Sequence, residues 1–280
     1  MKLEEMRQCA ADTLTFFIQE MPDAPFTEGD IVFSFAKKSE MASKALELCA
    51  QYCPEKIINE SQLNHLGKSI AANALIGREK SAVLVRIDSK IGKKDFRRII
   101  IHELMHVFCG KLEVDGGHFI DIYGSGTTPD VDPEDKAYDG IIVAGYTVWS
   151  EFIAQYYAVW LVDAENIDFS KVADYINHLF HDISMNEIEA SKDSFAMICA
   201  YWFNCTDFDK AYDALGRHGT FMPEDEPHGK ETQDALRECI VYINEQMQKD
   251  KPWEINEDFI YGLGFRFSMF RTMNTFYLVG

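Results

Sequence analysis

The sequence predicts a mostly helical α+β protein with a small mixed β-sheet, and three observations carry this prediction. Segments with helical periodicity cover most of the chain, whereas short runs with the apolar and β-branched composition typical of strands, such as residues 31–35 and 81–87, are few. A motif with two histidines, His-Glu-x-x-His at residues 102–106, follows the second of these strands in an apolar helical segment. From about residue 165 onwards, helices dominate the predicted elements.

The elements are predicted in chain order from periodicity and from turn residues. The segments before the motif with helical periodicity are residues 1–20, 40–52 and 60–76. The motif helix is expected to begin after Asp95 as its N-cap, to run from Phe96 to Cys109 without proline or glycine, and to end at Gly110. A long apolar stretch at about 144–162 predicts the next helix. Later helices are predicted at 169–183, 187–203, 207–216 and 231–249, and the aromatic segment 259–279 is predicted to be a packed terminal element.

The length and composition suit one large or two smaller domains. With 280 residues, of which 47% are hydrophobic, the chain can bury a sizeable core. We expect residues 1–164 to form a core that carries the motif and includes the N-terminal helices. Residues 165–280 are then a helical region that forms one wall of a cleft or a separate subdomain.

The net charge argues against two classes of partner, and the N-terminal segment and the cysteines indicate the location of the protein. The 27 basic and 46 acidic side chains give a formal charge of −19, which argues against binding to nucleic acid or to an anionic membrane. The N-terminal segment carries Glu4, Glu5 and Asp12, so it is predicted to be an amphipathic helix and not a signal peptide. Seven cysteines without a Cys-x-x-Cys pair favour reduced thiols and a cytoplasmic protein.

The spacing of the motif indicates a metal site. His102 and His106 are four residues apart, so their imidazoles lie on one face of a helix and can reach the same ion. Glu103 points to an adjacent part of that face, where it can contact a water on the metal without being a ligand. Polar groups in a mostly buried helix are energetically costly unless they have polar partners. A metal ion would provide such a partner for these three residues.

A catalytic zinc site usually has a third protein ligand from another segment. Glu151 is the leading candidate because it is the only acidic residue in the apolar stretch at 144–162. His118, in a predicted turn from Gly116 and Gly117 into a strand, is the rival. The extended three-histidine pattern does not apply, because the sixth residue after His106 is Leu112.

The motif at residues 102–106 followed by a helix with Glu151 resembles the gluzincin type of zinc metallopeptidase. The neighbourhood of the motif, a strand at 81–87, a basic linker and then a run from Arg97-Arg98 through three isoleucines into the motif, is similar to regulatory metallopeptidases of the ImmA/IrrE type. The resemblance covers residues 80–160 and implies a zincin-like core. The chain differs from the smaller family in the longer segment between His106 and Glu151, which implies an insertion.

This resemblance implies a zinc-dependent metallopeptidase that acts on peptide or protein substrates, with Glu103 as general base. The oxyanion that forms needs another donor, for which Tyr146, Tyr157 and His118 are candidates. We expect the strand at 81–87 to be the sheet edge along which an extended peptide binds. Two alternatives stay open. One is a regulatory or partner-binding protein that keeps a zinc-peptidase-like core, and the other is a zinc hydrolase that acts on a non-peptide amide.

Overall fold

The computed structural model describes residues 1–54, 63, 66, 71–87, 90–116, 133–163, 169–181, 188–204 and 229–279. These residues are mostly helical with one small mixed sheet, so the predicted fold class is confirmed at this level. The chain divides into two compact units, Met1–Gly124 and Ser125–Gly280. This division falls earlier than the functional boundary expected at residue 164, which stays a prediction.

The first unit contains three helices and three strands. In chain order they are α1 (Leu3–Glu20), β1 (Ile31–Ala36), α2 (Met41–Tyr52), β2 (Ala72–Leu75), β3 (Ser81–Arg86) and α3 (Lys93–Gly116). The sheet has the order β1-β3-β2, in which β1 is parallel and β2 antiparallel to β3. Every residue of β3 except Arg86 is buried. A short, nearly continuous apolar run of this kind is typical of a strand covered on both faces.

Two predictions about this sheet are wrong. The strand at 81–87 was expected at the edge of the sheet, but β3 is central, and the outer described strands are β1 and β2. The helix expected at 60–76 does not extend over Ala72–Leu75, which forms β2 and pairs with β3. Alanine and leucine favour a helix locally, but pairing with a buried strand overrides this weak preference. Of the preceding residues, Leu63 and Leu66 are helical, and the others lie outside the described residues.

Helix α3, which carries the motif, is longer at both ends than predicted. Gly110 does not end it. A Cβ atom at this glycine would overlap the Ile76 side chain, so the glycine instead allows α3 to approach the residue that follows β2. At the neighbouring position, the buried Lys111 Nζ donates hydrogen bonds to the carbonyl oxygens of Arg78 (2.8 Å) and Glu79 (2.9 Å). These contacts fix α3 to the turn between β2 and β3.

The second unit contains five described helices. They are α4 (Pro133–Asp163), α5 (Phe169–His181), α6 (Ile188–Asn204), α7 (Gly229–Met247) and α8 (Glu257–Val279). The predicted helices at 169–183, 187–203 and 231–249 are therefore confirmed with small shifts of their ends, and the predicted terminal element is a helix. Helix α4 begins at Pro133, earlier than the expected residue 144. The helix predicted at 207–216 lies outside the described residues.

Helices α4 and α8 cross in backbone contact. A Cβ atom at Gly145 of α4 would overlap the carbonyl oxygen of Ile260, and a Cβ atom at Gly264 of α8 would overlap the carbonyl oxygen of Ile141. Both positions therefore require glycine, which has no side chain to hold the helices apart. Beside this crossing, the buried Trp149 ring meets the Phe259 ring edge-on at a centroid distance of 5.0 Å.

The described cysteines Cys9, Cys49, Cys53, Cys109, Cys199 and Cys239 form no disulfide with one another, and all six are buried. The expectation of reduced cysteines stays a prediction, and Cys205 lies outside the described residues. Among the helices in the described ranges, none has the length and apolar character needed to cross a lipid bilayer.

Candidate metal centre

Helix α3 places the two motif histidines together. The Nε2 atoms of His102 and His106 are 3.0 Å apart, and the two rings are perpendicular, with centroids 4.5 Å apart. Both side chains are partly buried. This arrangement follows from the spacing of four residues, which brings two side chains one turn apart onto the same helix face. At this distance one imidazole donates a hydrogen bond to the other, and the tautomers decide the direction.

The separation of the two imidazoles fits a shared metal ion. With zinc–nitrogen bonds of about 2.0–2.1 Å, two nitrogens on one tetrahedral zinc lie about 3.4 Å apart. The observed Nε2–Nε2 distance of 3.0 Å is within a small side-chain rotation of that value. The histidine pair can therefore bind a divalent cation without a change in the helix.

The third predicted ligand, Glu151 on α4, belongs to the same group. One ligand atom from each of His102, His106 and Glu151 can be chosen so that all three atoms lie within 4.8 Å of one another. All three residues are partly buried, and theirs is the one such group found among the described residues. Two imidazoles and a carboxylate are a donor set that a catalytic zinc site uses while it keeps a position open for water. The group can hold a metal ion, and its geometry leaves the identity of that ion open.

Glu151 also forms an ion pair that the sequence did not indicate. Lys192 Nζ, on α6, lies 3.2 Å from Glu151 Oε1, and each of the two side chains is 18% exposed. The two residues are 41 positions apart. Ser191 and Asp193 flank Lys192, so it lies in a polar stretch where a solvated lysine is unremarkable. No local pattern distinguishes it from other lysines.

Glu103, the predicted general base, is buried, with 7% of its surface exposed. It directly follows His102 on α3, about 100° further around the helix, and it is not one of the three grouped ligands. This position is compatible with a carboxylate that lies beside a metal site without binding the metal. Its catalytic role stays a prediction.

Two of the predicted oxyanion donors, Tyr146 and Tyr157, lie on α4 with Glu151. Tyr146 is partly buried on α4, five residues before Glu151, which is roughly 140° around the helix from it. Tyr157 lies in an aromatic cluster, where its ring meets Tyr156 at 5.2 Å and Trp160 at 5.7 Å. Burial raises the pKa of Tyr156. The catalytic role of Tyr146 stays a prediction.

His118 lies outside the described residues. Its predicted roles, as the rival third ligand and as a catalytic residue, therefore stay predictions.

Comparison of the chain with protein-family models, with curated proteins and with solved structures gave no significant match in any of the three. The arguments about function therefore rest on the residues of this chain.

Proposed function

We propose that this protein is a zinc-dependent metallopeptidase in which His102, His106 and Glu151 bind the metal. The observation that carries the proposal is the grouping of these three ligand atoms within 4.8 Å. The finer assignment, a zincin-like core of gluzincin type with a distant similarity to ImmA/IrrE proteins, rests on the order of the motif and the later glutamate helix in the sequence. The assignment of zinc rests on the donor set, two imidazoles and one carboxylate.

In this proposal the protein supplies a base and a rigid frame for the reaction. Zinc, when bound, supplies Lewis-acid activation of water and of a carbonyl group. Glu103 takes a proton from the attacking water and passes it to the leaving amine. Because Glu103 is buried in a helix that is apolar around most of its circumference, we expect few conformations to be open to its carboxylate.

We expect the substrate to be a peptide or an unfolded protein segment. An extended peptide that adds to the described sheet must use β1 or β2, because β3 has a partner strand on each side. The formal charge of −19 disfavours strongly anionic substrates unless a local basic patch binds them. A cytoplasmic location remains part of the proposal.

The test compares the wild type with Glu103→Gln, which keeps the shape of the side chain and removes the base. Asp95→Asn is the matched control, because it removes an exposed carboxylate from the first turn of the same helix. We expect equal zinc content in all three proteins by elemental mass spectrometry. Hydrolysis of unfolded casein and of a mixed peptide library should fall at least about 100-fold in Glu103→Gln, since general acid–base catalysis contributes that much or more. Asp95→Asn should keep wild-type activity.

Other outcomes select among the alternatives. Zinc binding without hydrolysis of any peptide would favour a regulatory or partner-binding protein. Cleavage confined to small non-peptide amides would favour an amidohydrolase. Full activity in Glu103→Gln would exclude Glu103 as the base, and failure of the wild type to bind zinc after its addition would exclude the proposed enzyme.

A further inference from the structure

The contact between Lys192 and Glu151 joins two helices that are packed along each other. The Phe152 and Phe203 rings meet at a centroid distance of 5.7 Å, and Asn204 Nδ2 donates a hydrogen bond of 3.2 Å to the Tyr156 carbonyl oxygen. Both contacts run between α4 and α6, as does the ion pair. The position of Lys192 relative to Glu151 is therefore set by the packing of these two helices.

An ion pair in this place is a costly way to join two helices. Each side chain is only 18% exposed, so both charges have lost much of their contact with water. Well-packed apolar residues in place of such a pair are often neutral or stabilising. The pair is therefore better explained if Glu151 must remain ionised and must keep one orientation.

We propose that Lys192 is a positioning residue for the third metal ligand. This inference rests on the proposed function, because it requires Glu151 to bind the metal. An ionised carboxylate has two oxygens with about four acceptor sites, so one oxygen can accept a hydrogen bond while the other binds a cation. Lys192 holds Oε1 of Glu151 and thereby limits rotation of the side chain, which leaves the second oxygen oriented for the metal. Partners of this kind orient the ligands they contact.

The charge of Lys192 acts in the opposite direction. An ammonium group close to the site repels a bound cation, and this repulsion is stronger in a partly buried environment than in water. Removal of the lysine therefore loses orientation and also relieves repulsion. The sign of the change in zinc affinity shows which effect is larger, and we infer that orientation is.

The experiment measures zinc affinity by competition with a chelating dye, so its readout does not depend on peptidase activity. Lys192→Met keeps the apolar part of the side chain and removes the ammonium group, and we expect zinc to bind about 10- to 100-fold more weakly. Lys192→Arg keeps a donor that can reach the carboxylate and should restore most of the affinity. Lys251→Met is the matched control, because it removes another lysine that pairs with a glutamate, Glu254, at 3.5 Å but is 48% exposed. It should bind zinc like the wild type.

Glu151→Ala, measured in parallel, separates the two proposals. If Glu151→Ala binds zinc like the wild type, the proposed ligand set is wrong and the inference falls with it. If Glu151→Ala loses zinc while Lys192→Met binds it as tightly as the wild type or more tightly, only the positioning role is overturned. Failure of Lys192→Arg to restore affinity would also overturn it. If Lys192→Met does not fold, Lys192→Gln takes its place, because its side chain is polar but ends one atom short, and the same weakening is expected.

Discussion

Helices α3 and α4 supply the candidate metal centre in two different ways. In α3 the spacing of four residues within one helix brings His102 Nε2 and His106 Nε2 to 3.0 Å. In α4 the single proposed ligand Glu151 pairs with Lys192, 41 positions away on α6. The histidine pair therefore depends on the geometry of one helix, whereas the glutamate depends on the packing of α4 against its neighbours.

This difference indicates where the centre can be disturbed without a change to a ligand. A helix keeps its internal spacing when neighbouring contacts are weakened, as long as the helix itself remains folded. The position of α4 is set by contacts with other helices, including the backbone crossing with α8 and the ion pair with α6. Substitutions in the packing of α4 should therefore act on metal binding through Glu151.

The largest expected effect is the loss of a ligand. His106→Ala and Glu151→Ala should each weaken zinc binding by more than the roughly 10- to 100-fold expected for loss of a residue that only orients a ligand. We expect the larger loss in His106→Ala, because it destroys the preformed pair in α3. Zinc content after dialysis, measured by elemental mass spectrometry, checks both variants.

The exposed His178 on α5 provides the control, since His178→Ala should bind zinc like the wild type. Zinc retained in Glu151→Ala but lost in His118→Ala would instead make His118 the third ligand. That result would also remove the contrast between the two helices, because the centre would then not use α4.

An intermediate effect is expected at the crossing of α4 with α8. Gly145→Ala places a methyl group against the Ile260 carbonyl oxygen, so the helices must move apart. Overpacking of this kind costs about 1–3 kcal/mol, and occasionally more when rigid groups collide. The free energy of unfolding can be measured by tryptophan fluorescence. All four tryptophans, at positions 149, 160, 202 and 253, belong to the second unit, Ser125–Gly280, which contains both helices. Zinc affinity should fall as well.

Gly140→Ala is the matched control in the same helix. A Cβ atom at Gly140 meets no atom within 4 Å, so alanine should stabilise the helix by about 0.4–1 kcal/mol. Zinc affinity in this variant should not change. If Gly145→Ala unfolds with wild-type stability, α4 and α8 are not held together as closely as the two glycines indicate.

The same contrast explains which features could be predicted from sequence. The histidine pair was predictable because its spacing is local, and Glu151 stood out because a lone carboxylate in an apolar helix is unusual. Lys192 could not be predicted, since its role arises from the packing of two helices. The composition of residues 72–75 favours a helix, and only pairing with β3 makes them a strand. Gly110 was predicted to end the helix because glycine commonly does so. The actual reason for glycine at this position, its close approach to Ile76, is also non-local and cannot be read from the sequence.

The smallest expected effect is a pH dependence of stability that arises from a buried thiol of the second unit. Burial raises the pKa of the Cys239 thiol on α7 from 9.0 to about 12, and it also raises the pKa of Cys199 on α6. Below pH 9 the Cys239 thiol is protonated in both the folded and the unfolded chain. Between pH 9 and 12 it ionises only in the unfolded chain, so its contribution to stability is lost as the pH rises through this range.

Between pH 8.5 and 9.5 the contribution of Cys239 to the free energy of unfolding should decrease by less than about 1 kcal/mol. Urea denaturation followed by tryptophan fluorescence at the two pH values measures it, and Cys239→Ala should show a correspondingly smaller decrease. Groups that titrate in both proteins and lie far from Cys239 contribute equally and cancel in this comparison, whereas Cys199, whose pKa Cys239 also raises, does not. Equal pH dependence in the wild type and the variant would mean that the folded chain does not shield the Cys239 thiol. Helix α7 would then be less tightly packed around Cys239 than the burial of this residue indicates.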